Sequence, residues 1–286
     1  MPERVALLAP AKVNLALHVT GRRSDGFHLL DSIAVFADVG DRVEIDAADT
    51  LSLSVTGPFA AHAPGDATDL AWRAAVAFFE HAGQKPAATI RVEKNIPAGA
   101  GLGGGSADAA AVLKGLDRHL ATGLSADELA AIGIKLGADV PMCLAGKALR
   151  ARGIGEDIQT IEGWPSVPMV LVWPGAAVST AAVFKSLQRR DNPPLDEPPR
   201  NPTAATLASW LGNYRNDLEE PARRLAPEIG EALDALRAAD DCLLARMSGS
   251  GSACFGLFPT REVAERAAAS LKFKKPDWWI AATTAG

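Results

Sequence analysis

Five glycines fall within the seven residues Gly99 to Gly105 of this 286-residue chain. They belong to the run Pro97-Ala98-Gly99-Ala100-Gly101-Leu102-Gly103-Gly104-Gly105-Ser106-Ala107-Asp108, which passes directly into the helix-forming stretch 109–116. Glycine takes φ > 0 without steric cost and lets bare backbone N–H groups approach a ligand. At a helix N-terminus those N–H groups lack intrahelical partners and face the positive end of the dipole, so the run forms a cradle for phosphate. Nucleotide chemistry follows. A flexible connector is the competing reading, but such linkers are seldom closed by a Ser/Asp pair and an apolar helix.

Two better-known phosphate motifs do not fit. Gly99, Gly101 and Gly104 spell G-x-G-x-x-G, the dinucleotide fingerprint. In that fold the turn follows a continuously apolar parallel strand. Here the preceding 89–96 alternates, with Ile90, Val92 and Ile96 on one face and charges on the other, the pattern of a half-solvated antiparallel strand. The acid expected about 20 positions later would be Asp127 or Glu128, both at a helix start after Ser125. A Walker loop is excluded because no Lys-Ser/Thr follows the glycines.

Three further segments carry candidate chemistry. In strand register Lys12 and Asn14 share one face, opposite Val13, Leu15 and Leu17. Asp139 lies between a helix end and Val140-Pro141, which predicts an extended turn there. The segment Met247-Ser248-Gly249-Ser250-Gly251-Ser252 is a second small-residue loop able to offer backbone donors. Taken singly, each has an ordinary reading: an exposed lysine, an Asx turn, a plain loop.

The elements that must position these groups read as α+β. Alternating segments at 13–19, 32–36, 42–46 and 51–55 predict antiparallel strands separated by Gly/Asp turns. Helical periodicity follows at 69–81, 107–119 and 126–136, the last capped by Ser125 and ended by Gly137. Strands return near 145–153, 168–173 and 253–258, with helices near 204–210, 228–239 and 262–271. Five prolines in the twelve residues 191–202 predict a surface loop, open to motion and without chemistry of its own. The length suits two domains, expected at 1–160 and 161–286.

Apolar residues make up 48% and charged residues 22% of the chain, and the net charge is −5. That balance argues against nucleic-acid or membrane-surface binding. Cys143, Cys242 and Cys254 show no metal or redox spacing, which fits small buried hydrophobes in a reducing compartment. The N-terminal segment carries an early acid and two prolines and lacks the apolar core of a signal peptide. A cytoplasmic protein, monomeric or a weak homodimer, is expected.

Pro10-Ala-Lys-x-Asn14, the glycine-rich run, Gly137-Ala-Asp-Val-Pro141 and Met247-Ser-Gly-Ser-Gly251 together resemble the ordered motifs of the GHMP kinases. That family includes galactokinase and the homoserine, mevalonate and phosphomevalonate kinases. The segments Gly21-Arg-Arg-Ser-Asp-Gly-Phe-His-Leu-Leu30, Val183-Phe-Lys185 and Asn216-Asp-Leu-Glu-Glu-Pro221 resemble one branch of it. The acceptor of that branch is a cytidine diphosphate sugar alcohol of isoprenoid-precursor biosynthesis.

The resemblance implies a two-domain GHMP-kinase-like fold with mixed and antiparallel sheets, helices, and the site between the domains. It implies ATP held by residues 97–107 with Asp69 near the adenine, and Mg²⁺ with Ser106 as candidate ligand or helix cap. Asp139 becomes the candidate base for the acceptor hydroxyl and Lys12 its electrostatic partner. Asn14, Phe27, His28, Phe184, Gly249 and Ser250 become acceptor contacts, the two phenylalanines sandwiching cytosine and His28 meeting the base edge. Phe27 stands where the family commonly has tyrosine, and Asp69 where it often has asparagine, so one phenolic and one amide contact are altered. A homoserine- or mevalonate-type kinase is the alternative within the family. A catalytically dead relative is disfavoured because Lys12 and Asp139 are both present.

Overall fold

The computed structural model describes residues 4–286, which excludes only the first three residues of the N-terminal segment. In chain order its elements are β1 (Val5–Arg22), β2 (His28–Ala47), β3 (Ser52–Thr56), α1 (Leu70–His81), β4 (Ala88–Glu93), α2 (Gly104–Leu120), α3 (Ala126–Leu136) and α4 (Asp139–Ala145). They continue with β5 (Leu149–Gly153), β6 (Asp157–Thr160), β7 (Val167–Trp173), α5 (Thr180–Lys185), α6 (Ala204–Leu211), α7 (Glu219–Leu225), α8 (Glu228–Arg237), β8 (Leu244–Met247), β9 (Cys254–Leu257), α9 (Arg261–Lys274) and β10 (Trp279–Ala285).

Two compact units are discontinuous in sequence. One holds residues 4–11, Val39–Ala98 and Gly103–Gly146; the other holds Lys12–Asp38, Gly99–Leu102 and Lys147–Gly286. The last crossing, at Gly146, lies upstream of the boundary expected near residue 160. Both long first strands and the glycine-rich run contribute to both units.

In the first unit β4 pairs antiparallel with the end of β2, Val43 opposite Val92 and Ile45 opposite Ile90. Its other edge takes β3 in parallel, Leu53 opposite Ile90. This corrects the reading of all the early strands as antiparallel: the long excursion through α1 between β3 and β4 permits a crossover that a hairpin would not. Helices α1 and α2 pack together, and Phe78, Phe79, Leu113 and Leu116 are fully buried. At Gly115 an added Cβ would meet Ile45 Cδ1 at 2.5 Å, so glycine there sets the closeness of helix and sheet.

In the second unit the sheet runs β10–β7–β9–β8, each neighbouring pair antiparallel, and β10 joins β2 at Ala285 opposite Ala37. The first half of β2 pairs with β5, and β5 with β6. Val170, Val172, Ile229, Leu233, Leu236, Phe258 and Leu271 build a core between this sheet and helices α8 and α9.

The predicted strands 32–36 and 42–46 are one strand, β2. Gly40-Asp41 sits inside it because a Cβ at Gly40 would overlap the Ala9 carbonyl, a close approach and not a turn. Likewise 13–19 is the centre of the 18-residue β1, where residues 11–19 are buried on both faces. Lys12 and Asn14 are therefore buried, 5% and 4% exposed, not on a solvated face. Helix α3 keeps its predicted cap, the Ser125/Glu128 capping box. Helices α5 and α7 and strands β8 and β10 gave no sufficient local signal.

Candidate functional site

The glycine-rich run is a chain of left-handed turns. Gly99, Gly101 and Gly103 have φ of +68°, +78° and +68°, which L side chains reach only with strain. Between them Ala100 and Leu102 are each 1% exposed and fix the backbone. Alternation of left-handed and ordinary residues is the backbone pattern from which anion-binding nests are made. Helix α2 then begins at Gly104, earlier than the expected Ala107, with left-handed Gly103 at its N-cap. No side chain caps it and no acid occupies its first turn. Ser106 is therefore its third residue and not its cap.

Within the second unit, the first half of the run is clamped onto the second small-residue loop. Ala253 N–H donates to the Ala100 carbonyl at 2.9 Å and Lys12 N–H to the Leu102 carbonyl at 2.8 Å. Ser248 Oγ donates to the Gly101 carbonyl at 3.1 Å and accepts the Asn14 N–H at 3.1 Å. A Cβ at Gly101 would lie 2.5 Å from the Ser248 carbonyl oxygen. The Asn14 amide reaches Ser32 Oγ at 2.8 Å, and a Cβ at Gly249 would lie 3.5 Å from Asn14 Oδ1. The structure thus groups Lys12, Asn14, residues 99–102, Ser248 and Gly249. Ser250 is bonded instead to Thr180, Oγ to Oγ1 at 2.7 Å.

Asp139 is in the other unit, and its local structure differs from the expected extended turn. It is the first residue of α4, preceded by Ala138 in right-handed helical geometry. Pro141 is accommodated because a helix's first turn needs no N–H at that point. Asp69 caps α1: its Oδ1 accepts the Ala71 N–H at 2.9 Å and its Oδ2 the Gly65 N–H at 3.2 Å. Both oxygens are held by backbone, which gives this residue a structural, capping role beside the adenine contact expected of it.

Phe27, His28 and Phe184 converge on one cavity of about 580 Å³, lined also by Arg22, Leu30, Ile154, Ala181, Lys185 and Arg190. The His28 and Phe184 rings stack with centroids 4.9 Å apart and planes at 28°. Phe27 is 59% exposed, an aromatic face turned to solvent at the cavity. Burial, then the charges of Arg22 and Arg190, lower the pKa of His28 and favour its neutral form. Asn14, Gly249 and Ser250 are not among the residues lining this cavity.

Several supporting residues escaped sequence reasoning. Buried Asn216 donates from Nδ2 to the Met247 and Gly249 carbonyls at 2.9 and 2.8 Å, so it fixes the second loop. Arg246, 6% exposed, donates to the carbonyls of Leu15, Leu211 and Tyr214, and burial lowers its pKa to about 10. In the first unit Lys94 is buried between Asp41 and Asp108, with its ammonium 2.5 Å from Asp108. Asn216 stood in a noted motif; the other contacts are long-range and leave no local pattern.

The model of the GHMP kinases N-terminal domain matches residues 69–147, and that of the GHMP kinases C-terminal domain matches 200–277. The chain belongs to the GHMP kinase family. It is 52% identical over 277 residues to the 4-diphosphocytidyl-2-C-methyl-D-erythritol kinase of Mesorhizobium japonicum, covering 96% of this chain and 94% of the relative. It is 49% identical to the kinase of the same name from Dinoroseobacter shibae, over 98% and 94%. A crystal structure of 4-(cytidine 5'-diphospho)-2C-methyl-D-erythritol kinase superposes with a TM-score of 0.83 at 38% identity, over 99% of both chains. Homoserine kinase from Cytophaga hutchinsonii, at 18% identity and a TM-score of 0.70 over 100% and 95%, shares the fold. No helix among the described residues is long and apolar enough to cross a membrane.

Proposed function

We propose that this chain transfers the γ-phosphoryl group of ATP to the 2-hydroxyl of 4-diphosphocytidyl-2-C-methyl-D-erythritol, giving the 2-phosphate and ADP. The cavity of Phe27, His28 and Phe184 carries the choice of acceptor. It offers aromatic faces and a neutral imidazole to a pyrimidine, features for which mevalonate or homoserine has no base. The name shared by relatives about half identical to the whole chain supports the same reading.

The donor phosphates lie in the nest of Gly99 to Ser106, with the N-terminus of α2 supplying further positive potential. Asp139 accepts the proton of the acceptor hydroxyl, which is too weak an acid to ionise unaided near pH 7. Lys12 supplies positive charge to the oxygen as it becomes nucleophilic. Alignment and charge stabilisation carry most of a phosphoryl transfer, so the base contributes late.

Among the described residues no group of three or more His, Cys, Asp or Glu side chains could hold a metal ion. In this reading Mg²⁺ is held chiefly by the ATP phosphates and water, with the Ser106 hydroxyl as the candidate protein ligand. Bound there, the ion would neutralise charge on the transferring phosphate.

ADP release with Mg-ATP is measured against the cytidylyl erythritol, mevalonate, homoserine and galactose. Turnover of the first alone is expected, and Asp139→Asn lowers kcat by about 10²-fold or more. Turnover of another acceptor instead would keep the fold and overturn the function.

A further inference from the structure

The acceptor cavity is lined by three basic side chains and by no acid. Arg22 comes from the end of β1, Lys185 from the end of α5, and Arg190 from the segment that follows it. Their sequence neighbours are neutralised: Arg23 pairs with Asp25 at 2.7 Å and Arg189 with Asp191 at 3.1 Å. Arg22, Lys185 and Arg190 meet no acid among the described residues. Arg22 Nε and Arg190 Nη2 donate only to carbonyls, those of Gly26 and Lys185, at 3.2 and 3.4 Å. Arg190 Nε is buried without a partner. A chain of net charge −5 has ample acid to pair with three cations, yet leaves these uncompensated around one opening.

We propose that Arg22, Lys185 and Arg190 bind the diphosphate of the acceptor, and that their charge makes the cavity select a nucleoside diphosphate ester over the uncharged nucleoside. The inference rests on the acceptor reading above and adds the groups that recognise the anionic half. The walls formed by Phe27, Leu30, Ile154 and Phe184 are apolar, which focuses the field of the cations into the cavity. That field is already felt by His28, whose proton affinity Arg22 and Arg190 both depress. A volume of about 580 Å³ lies within the range of small-molecule sites. Mutual repulsion of the three cations is relieved when an anion enters, so the ligand's diphosphate is bound more strongly than an isolated surface pair would allow. Guanidinium groups suit phosphate oxygens because they donate two parallel hydrogen bonds.

Cytidine diphosphate and cytidine are titrated calorimetrically against the full chain, against Arg190→Gln and Arg190→Lys, and against the Arg22→Gln/Lys185→Gln double variant. KM values for ATP and the cytidylyl acceptor are determined in parallel. The wild type should bind cytidine diphosphate at least about tenfold more tightly than cytidine, the scale of a charge-assisted contact. Arg190→Gln and the double variant should each weaken cytidine diphosphate, and raise the acceptor KM, by about tenfold. Cytidine affinity and the KM for ATP should stay within about twofold, and Arg190→Lys, which restores the charge without the two-pronged donor, should recover only part of the binding that Arg190→Gln loses. Parallel weakening of both ligands would make these residues packing groups and overturn the proposal, as would unchanged binding of cytidine diphosphate in both variants. In either case a wild type that still turns over the cytidylyl acceptor leaves the proposed function standing. A wild type that binds neither ligand and turns over no cytidylyl acceptor overturns both.

Discussion

The two units each bury an ion cluster, and the two are resolved differently. In the second unit Arg150 grips Asp31 in a fork, Nε to Oδ1 at 2.8 Å and Nη2 to Oδ2 at 2.7 Å. The remaining groups are also used: Leu195 N–H donates to Asp31 Oδ2 at 2.9 Å, and Arg150 reaches Glu197 at 2.8 Å and the Leu195 carbonyl. In the first unit one cation, Lys94, faces two carboxylates. Asp41 is well bonded, to Lys94 and to the N–H groups of Asn95 and Ile96. Asp108 keeps one oxygen, Oδ1, buried without a partner. Burial, opposed by Lys94 and reinforced by Asp41, pushes Asp108 up to about 7. One cluster is a saturated clamp; the other holds an excess of acid that a proton can relieve.

Breaking the clamp should have the largest effect. Asp31→Ala leaves a 4%-exposed guanidinium without its carboxylate, and arginine does not shed its charge near neutral pH. Loss of about 3–5 kcal/mol is expected, read from urea midpoints. Because Asp31 and Arg150 also hold Leu195, the variant should become sensitive to trypsin at Arg200. Lys94→Met should do less, nearer 2 kcal/mol at pH 7, because the two stranded carboxylates can take up protons where Arg150 could not lose one. Equal losses in the two variants would mean that protonation gives the first unit no relief.

The same contrast explains what the chain's residues disclose in isolation. The Ser125 cap and the helix end at Gly137 are local, within a few residues of the helix they bound, and were readable; the Asp69 cap is equally local, but that residue was read as part of its helix and for a nucleotide contact. The glycine-rich run was readable because few other uses account for so many glycines. Arg150 and Asp31 stand 119 positions apart, and no spacing rule links them. The proline-rich segment therefore looked like a free surface loop, whereas it is held by Leu195 and by Asn192, whose N–H donates to the Val19 carbonyl at 3.0 Å. Gly40 looked like a turn because only the packed structure reveals the Ala9 carbonyl against it. Asp139 was found by its motif, but its setting at the start of α4 was not, since Val-Pro favours extended backbone except in a helix's first turn. That Phe27 and Phe184 line one cavity was suggested by resemblance alone; as lone residues both read as core.

The finest test of the comparison is Asp108→Asn. The amide keeps an oxygen for Lys94 and removes the second acid, so a cost within about 1 kcal/mol is expected at pH 7. Its effect should appear in pH dependence. The folded pKa of Asp108 is raised above the unfolded value of 3.8. Folded protein thus holds this proton more tightly than unfolded chain does. The resulting stabilisation is present at pH 5 and is lost as pH rises through about 7. Between pH 5 and pH 8 the wild type should lose on the order of 1–2 kcal/mol relative to Asp108→Asn, which carries no titrating group there. Urea midpoints of the two proteins at both pH values decide it. Parallel curves would show Asp108 ionised throughout, with Lys94 neutralising both acids, and the two clusters would then differ only in shape. Converging curves would establish the first unit's cluster as proton-sensitive beneath the start of α2, beside a clamp in the second unit that has no proton to lose.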